Sequence, residues 1–179
     1  MSAPQRIETE RLVLRKPESE DAAAIFARYA SDRNVTRFLG WPRHTAVDDT
    51  FEFVRFSNAE WQRWPAGPYL IESRESGLLL GSTGLGFESR HRASTGYVLA
   101  KDAWRCGYAT EALRAIVTVA TDVGVRRLYA LCHPEHSVSC RVLEKCAFMR
   151  EATLRRYAEF PNLPAGESGD VLCYSRILP

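Results

Sequence analysis

The chain has 179 residues, with 24 basic and 22 acidic side chains, and its formal charge of +2 gives no reason to expect a nucleic-acid partner. Hydrophobic residues make up 45% and charged residues 26%, which is typical of one globular domain, here residues 1–179, and argues against a disordered chain. No apolar run approaches the ~20 residues of a membrane span, and the N-terminus lacks the apolar stretch of a signal peptide. We therefore expect a cytoplasmic protein that does not associate with membranes.

The pattern of apolar residues and turn residues predicts seven strands and four helices. The strands are expected at residues 12–15, 69–73, 78–87, 94–99, 128–132, 148–157 and 171–178. The helices are expected at residues 21–30, 47–64, 107–123 and 137–145. Residues 32–45 and 161–169 have the composition of loops. The order β-α-α-β-β-β-α-β-α-β-β predicts an α/β fold in which helices pack on one mixed sheet.

The segment most indicative of function joins a predicted strand to the helix at 107–123. Gly107 lies at this junction, where the absence of a side chain lets a ligand approach the backbone. The first-turn amides of a helix have no intrahelical acceptor, and the helix dipole adds positive potential there. The junction therefore suits a phosphate or diphosphate. An ordinary strand-loop-helix connection explains a single glycine equally well.

A resemblance supports the first interpretation. The stretch Trp104-Arg-Cys-Gly-Tyr-Ala-Thr-Glu-Ala112 resembles the coenzyme A signature of GNAT acetyltransferases, commonly Q/R-x-x-G-x-G/A. Trp104 takes the first position, Gly107 the glycine and Ala109 the small residue. The stretch is most similar to the branch around the ribosomal-protein N-terminal acetyltransferases, whose loop often reads W-G-x-G-Y-A-T-E-A, with Arg105 here in place of the first glycine.

Other stretches resemble the same branch in the same order, over roughly residues 9 to 157. Residues 9–15, Thr-Glu-Arg-Leu-Val-Leu-Arg, resemble its opening strand, and residues 81–86 resemble its third strand. Residues 133–148 resemble its N-x-x-S-x-R-V-L-E-K-x-G-F element. The resemblance implies a mostly antiparallel mixed sheet and an acetyl-CoA-dependent N-acetyltransferase. The acceptor would be a primary amine, either a protein N-terminus or a small molecule, and a homodimer stays open.

The resemblance also implies the residues of the site. The pantetheine arm would lie beside the backbone of Tyr97, Val98 and Leu99, and His136 and Ser139 would contact it from the next element. The diphosphate would lie on the amides of the loop and first helical turn, where Arg105 could add charge or be only a solvated surface arginine. These loop residues are Trp104, Arg105, Cys106, Gly107, Tyr108, Ala109 and Thr110. Ser139 would also protonate the departing thiolate, unless it only satisfies backbone amides at the start of its helix.

Three positions depart from the family pattern. Ser94 stands where relatives often carry an acidic residue, and Leu143 stands where some carry a tyrosine that acts as an acid. His136 replaces an asparagine that usually bonds the pantetheine chain. A neutral imidazole can donate one hydrogen bond and accept one, so this role can survive, or it can equally be lost with His136 merely exposed. A coenzyme A-binding module without turnover is therefore the alternative to an active enzyme.

The cysteines and aromatic residues give weaker indications. The five cysteines are odd in number and lack metal-ligand spacing, which predicts reduced thiols and no metal site. Cys106 precedes a helix, but no Cys–His–acid set accompanies it, which disfavours a thiol mechanism. Seven aromatic residues cluster in the first third of the chain, at Phe38, Trp41, Phe51, Phe53, Phe56, Trp61 and Trp64. We expect most of them in the core, although Phe38 or Trp41 could contact an acceptor.

Overall fold

One sheet organises the molecule, a computed structural model that describes residues 2–164 and 169–179. Within those residues the sheet has eight strands in the order β1-β2-β3-β4-β5-β6-β8-β7. The strands are β1 (Arg6–Glu8), β2 (Leu12–Arg15), β3 (Pro68–Ser73), β4 (Leu79–Ser89), β5 (Arg92–Leu99), β6 (Arg127–Cys132), β7 (Met149–Ala158) and β8 (Gly169–Ile177). The neighbours β5 and β6 are parallel and all other neighbours are antiparallel, so the mixed, mostly antiparallel sheet is confirmed.

Helices cover both faces of the sheet. The helices are α1 (Ala22–Ile25), α2 (Arg33–Thr36), α3 (Val47–Arg63), α4 (Tyr108–Asp122) and α5 (Ser137–Lys145). Alternate residues of a strand point to opposite faces. In β3, Tyr69 and Ile71 accordingly join the core beneath α4 and α5, while Leu70 joins a second core with α1 and α3. Within the described ranges no helix is long and apolar enough to cross a membrane.

Helix α4 is the most regular of these helices. Its buried residues recur at helical spacing and form one apolar stripe, made of Ala112, Leu113, Ile116, Val117, Val119 and Ala120. The helix ends at Asp122, and Gly124 follows with a φ of +85°, a left-handed conformation that glycine adopts without strain. The Val125 amide donates to the Ala120 carbonyl at 2.9 Å and satisfies one of the terminal carbonyls. This termination matches the stop that Gly124 predicts.

Two short elements were not predicted from the sequence. Strand β1 has three residues and an exposed arginine and glutamate, so it carries almost no apolar signal; it forms because Ile7 pairs with Leu14 of β2. Helix α2 lies inside the segment expected to be a loop. The Asp32 carboxylate begins it by accepting from the amides of Asn34 and Val35 at 2.7 and 3.3 Å.

The first predicted helix is irregular rather than continuous. A 3₁₀ turn (Ser19–Asp21) precedes α1, and a π-helical turn (Phe26–Ala30) follows it. The Ser31 amide donates to the carbonyl of Phe26, five residues earlier, at 3.2 Å. The predicted loop at 161–169 is described only in part, because residues 165–168 lie outside the described residues.

Candidate active site

The central feature of the site is a gap between the two parallel strands. β5 pairs with β6 only from Arg92 to Ser94. Beyond Ser94, β5 continues to pair with β4 as far as Leu99, while β6 pairs with β8 as far as Cys132. In the described part of the chain, the β6-facing edge of residues 95–99 therefore has no strand partner. Its backbone groups can bind an extended ligand laid into the gap, as a sheet edge binds a peptide.

The predicted pantetheine residues Tyr97, Val98 and Leu99 lie on this edge. Val98 is half-buried and packs against the core under α1 and α3, and Leu99 is buried in the opposite core. The carbonyl of Leu99 accepts a hydrogen bond from the Trp104 indole Nε1 at 2.8 Å. Trp104 therefore fixes the end of β5 with its side chain, while 42% of that residue stays exposed.

The loop after β5 leads directly into the first turn of α4. It contains a 3₁₀ turn (Lys101–Ala103) and two left-handed residues, Arg105 with a φ of 63° and Gly107 with a φ of 83°. Gly107 immediately precedes the helix, and its carbonyl accepts from the Glu111 amide at 3.1 Å. The amides of residues 108–110 have no acceptor in the residues described, as the first turn of a helix requires. The loop thus has the geometry of an anion site.

A salt bridge anchors this loop to the beginning of β2. Arg11 bonds Glu111 through Nε and Nη2 at 2.8 and 2.7 Å, and its Nη1 donates to the Cys106 carbonyl at 2.9 Å. The Thr9 hydroxyl donates to the same carboxylate at 2.6 Å. Burial alone would raise the pKa of Glu111, but the bonds from Thr9 and Arg11 lower it below its ordinary value. Sequence reasoning missed these roles, since Arg11 and Glu111 stand 100 positions apart.

A cleft lies beside the loop and crosses the outer face of α4. It encloses about 580 Å³ and is lined by Gly107 and Thr110 together with three basic side chains. Those side chains are Arg11, Arg114 and Lys145, and the carboxylates Glu10 and Glu111 lie in the same lining. Because Arg11 is paired with Glu111, Arg114 and Lys145 outnumber the remaining Glu10, and this weakly positive charge favours phosphate groups.

Tyr97 and Ser139 meet across the gap. The Tyr97 hydroxyl lies 2.9 Å from the Ser139 Oγ and donates to the Ser139 carbonyl at 2.9 Å. Burial is the main cause that raises the pKa of Tyr97, so this phenol stays protonated. No backbone amide in the described ranges donates to the Ser139 hydroxyl, so the alternative in which Ser139 caps its helix is wrong. This pairing was not predicted, because it joins β5 to α5.

His136 immediately precedes α5, and its imidazole lies among aromatic rings. Phe38 stacks on His136 with 5.0 Å between ring centroids and on His133 with 4.7 Å. Phe160 packs edge-on against His133 at 4.7 Å. Burial, followed by the nearby His133, lowers the pKa of His136. The imidazole is therefore neutral at neutral pH.

The loop that carries Phe160 is tied to the loop that carries Phe38. The side-chain amide of Asn162 donates to the carbonyls of Thr36 and Trp41 at 2.9 and 2.8 Å, and its oxygen accepts from the Arg43 amide at 2.7 Å. These bonds hold residues 160–162 against the loop that follows α2, where Phe160 packs on His133. The sequence gives no signal for this contact across more than 100 residues.

Two of the three departures from the family pattern, Ser94 and Leu143, lack catalytic geometry. The Ser94 hydroxyl donates to the Gly86 carbonyl at 3.2 Å, and Leu143 is buried with 1% exposure. Thr95 likewise donates to a backbone carbonyl, that of Gly84, at 2.8 Å. None of these side chains can move a proton at the gap.

The cysteines do not form a nucleophilic site. Cys106 is exposed, and its thiol contacts the Trp104 carbonyl at 3.4 Å rather than a histidine. Cys132 and Cys140 are buried with their sulfurs 3.6 Å apart, and burial raises the pKa of Cys132. A thiol with a raised pKa is a poor nucleophile at neutral pH. Residues 2–164 and 169–179 contain no cluster of three or more metal-ligating side chains.

The aromatic residues of the first third are less buried than expected. None of the seven is fully buried, and Phe51 and Phe56 are 40% and 59% exposed. Four of them pack at the edge of the two cores, namely Trp41, Phe53, Trp61 and Trp64. The expectation that most are core residues is therefore confirmed only in part, since four of the seven pack against a core but stay partly exposed. Phe38 lies at the gap, where the sequence allowed an acceptor contact.

The mixed sheet, its open edge at residues 97–99 and the adjacent glycine-led helix agree with the GNAT-like fold that the sequence resemblance implies. Residues 11–149 match the family model of the acetyltransferase (GNAT) domain. The N-acetyltransferase YoaA of Bacillus subtilis, itself uncharacterised, is 31% identical over 97% of each chain. The protein therefore belongs to the GNAT acetyltransferase family and is an acetyl-CoA-dependent N-acetyltransferase.

Solved structures share the whole architecture. An acetyltransferase of the GNAT family from Bacillus anthracis superposes with a TM-score of 0.83 at 26% identity, over 96% of this chain and 98% of that one. RimL, a ribosomal L7/L12 α-N-protein acetyltransferase solved with coenzyme A, superposes with a TM-score of 0.85 at 22% identity, over 97% and 98%. At 22% identity, the similarity to RimL shows a shared fold and nothing further. Acetyl-CoA is the cosubstrate of the family, and the gap and loop fit it.

Proposed function

We propose that this protein transfers the acetyl group of acetyl-CoA to a primary amine by direct attack in a ternary complex. One observation carries the proposal: β5 and β6 separate beyond Ser94, so that an open strand edge faces the Tyr97–Ser139 pair, next to a glycine-led helix. The continuous sheet from Arg6 to Ile177 supports a single domain. Membership of the GNAT family indicates acetyl transfer, and these residues position the substrates for it in the proposed complex.

In the proposed complex the pantetheine arm lies beside residues 97–99 and extends toward His136 and Ser139. The diphosphate lies on the free amides of residues 105–110, where the αL conformation of Gly107 opens the backbone to it. The cleft lined by Arg114 and Lys145 adjoins this loop and adds positive potential. Arg11 acts indirectly, by holding Glu111 and the Cys106 carbonyl in place.

The reaction needs a neutral amine, a polarised carbonyl and a protonated leaving group. Loss of a proton from the ammonium frees the lone pair that attacks the thioester carbon. A backbone N–H on the open edge of β5 can bond the carbonyl oxygen as it gains charge. The Ser139 hydroxyl, paired with Tyr97, then donates a proton to the departing thiolate. Orientation in the gap supplies much of the rate, since proximity alone is worth about 7–11 kcal/mol.

The acceptor is proposed to be the α-amine of a peptide or a small amine. RimL, which has the same fold, acts on the N-terminus of ribosomal protein L7/L12. The rings of Phe38, His133 and Phe160 form an apolar wall at one end of the gap, which suits a compact acceptor better than a long charged chain. A cytoplasmic location and a homodimer stay predictions.

The test is amine-dependent release of free thiol from acetyl-CoA, using a panel of peptides with free N-termini and small primary amines. Transfer predicts a rate that depends on both substrates with intersecting initial-velocity lines, because no acetyl-enzyme forms. Parallel lines would indicate a covalent intermediate. Tight acetyl-CoA binding without thiol release from any acceptor would favour the binding module instead.

A further inference from the structure

We propose that His136 is the general base that takes the proton from the acceptor ammonium, an inference that rests on the proposed acetyl transfer. It gives this position a catalytic role at the amine in place of the pantetheine bond that the family's asparagine makes. The inference begins from the surroundings of the four histidines.

Three of the histidine rings have their Nδ1 atom in a hydrogen bond. The Nδ1 of His44 bonds the Thr50 hydroxyl at 2.8 Å, that of His91 bonds the Gly124 carbonyl at 3.1 Å, and that of His133 accepts from the Glu135 amide at 3.2 Å. In the part of the chain described here, the His136 ring has no hydrogen-bond partner. Its nitrogens are therefore available to a substrate.

The position of His136 is fixed even though its ring nitrogens are free. Its carbonyl accepts from the amides of Ser139 and Cys140 at 3.0 and 3.2 Å, which anchors the backbone at the start of α5. Phe38 stacks on the ring and sets its plane. His136 thus stands three residues before Ser139, the proposed thiolate acid, and its ring packs against Phe38 of the aromatic wall.

The charges around His136 keep it neutral, as a base must be. Burial and His133 lower its pKa, and the positive end of the α5 dipole acts in the same direction. Arg37, whose guanidinium lies 4.9 Å from the Phe38 ring, adds further positive charge from the loop after α2. Glu135 is exposed and acts on His133. Cys132 and Cys140, the remaining titratable neighbours on β6 and α5, are buried thiols.

The proton balance closes without another reactant. The His136 nitrogen accepts a proton from R–NH₃⁺ and later releases it to water. The neutral amine forms the C–N bond, the C–S bond breaks, and the second amine proton reaches the thiolate through Ser139. The products are the acetamide, coenzyme A thiol and one proton in solution.

The same argument favours one class of acceptor. A base with a lowered imidazole pKa matches a peptide α-amine, whose ordinary pKa is about 7.7–8.0, better than a lysine side chain, whose ordinary pKa is about 10.4. We therefore expect α-amines to be acetylated in preference to lysine ε-amines.

The test compares His136→Asn, which restores the family residue, with His91→Asn as a matched control far from the gap. For His136→Asn we expect kcat/KM for the amine to fall about a hundredfold, the scale of general-base catalysis. The acidic limb of its pH profile should move up to the ordinary pKa of the amine, because only amine that is already neutral in solution can then react, while the calorimetric Kd for acetyl-CoA stays within about twofold. The His91→Asn control should keep the wild-type kcat/KM, pH profile and Kd for acetyl-CoA. Added imidazole should restore part of the activity of His136→Ala.

Two outcomes would overturn the inference alone. One is an active wild-type protein whose acidic limb keeps the same position on the pH axis in His136→Asn. The other is a loss of acetyl-CoA affinity with kcat unchanged, which would make His136 a cofactor anchor. Absence of thiol release by the wild-type protein with every amine would instead overturn the proposed function, and this inference with it.

Discussion

Arg11 and Glu111 form a two-point salt bridge, with Nε and Nη2 at 2.8 and 2.7 Å from Oε2, that joins the start of β2 to the first turn of α4. The Glu111 carboxylate also accepts from the Arg11 amide at 2.8 Å and from the Thr9 hydroxyl. The two sequence stretches that resemble the family at 9–15 and 104–112 are therefore one structural unit. Its role is to hold the loop on which the diphosphate is proposed to bind.

Glu111→Gln should loosen this unit. Replacement of a carboxylate that accepts several bonds costs about 1–3 kcal/mol of stability. We expect the Kd for acetyl-CoA to rise about three- to tenfold by calorimetry. Glu8→Gln removes only the exposed ion pairs of Glu8 with Arg6 and Arg74 and is the control, with an expected change below about 1 kcal/mol. Equal effects of the two variants would contradict the role given to Glu111.

The same carboxylate predicts a pH dependence of stability. The pKa of Glu111 is lower in the folded protein than in the unfolded chain, where it is about 4.3. Its contribution to the free energy of unfolding is therefore fully present above the unfolded pKa and is lost as the pH falls toward the folded pKa. The difference in unfolding free energy between wild type and Glu111→Gln should therefore shrink below about pH 4. Denaturant titrations at pH 7 and pH 3.5 measure it, and a difference that grows on acidification would contradict the assignment.

Gly107 provides a test of the phosphate loop. Its φ of 83° favours glycine. Asparagine and aspartate tolerate this conformation less well than glycine but about as well as each other. Gly107→Asn and Gly107→Asp therefore share the strain and differ in charge. We expect acetyl-CoA to raise the melting temperature of the Asn variant and to have little effect on the Asp variant, because a carboxylate repels diphosphate. Identical responses would place the diphosphate elsewhere.

Ser139→Ala should affect turnover more than binding. A hydroxyl that stabilises the departing thiolate acts mainly in the transition state, and one such donor is worth about 2–4 kcal/mol. We expect kcat to fall tenfold or more, with KM for acetyl-CoA nearly unchanged. Tyr97→Phe keeps the ring and removes the hydroxyl that bonds Ser139, so it should lower kcat less. A change confined to KM would make Ser139 a cofactor anchor.

Thiol reactivity should separate the five cysteines. Cys106 is exposed and the other four cysteines are buried. In the native protein one thiol should therefore react quickly with a thiol reagent, and the other four should react only after unfolding. Cys106→Ala should retain activity, because Ser139 and Tyr97 move the proton in this mechanism. Loss of activity with intact acetyl-CoA binding would reopen a thiol route.

The sequence predicts what depends on local pattern and misses what depends on contacts between distant residues. Helix α4 was predicted nearly to its ends, because its apolar stripe and Gly124 are local signals. Strand β1 was missed, because its pairing with β2 decides its structure. The loop at Gly107 was predicted, whereas the Tyr97–Ser139 pair and the Phe38–His136 stack required the folded chain.

The central claim is that acetyl-CoA lies in the gap between β5 and β6, and a crystal structure of the complex tests it most directly. The account predicts the pantetheine arm along residues 97–99, the diphosphate on the amides of residues 105–110, and the thioester sulfur within hydrogen-bonding reach of the Ser139 hydroxyl. Acetyl-CoA bound outside the gap, or with its sulfur remote from both Ser139 and His136, would contradict the account.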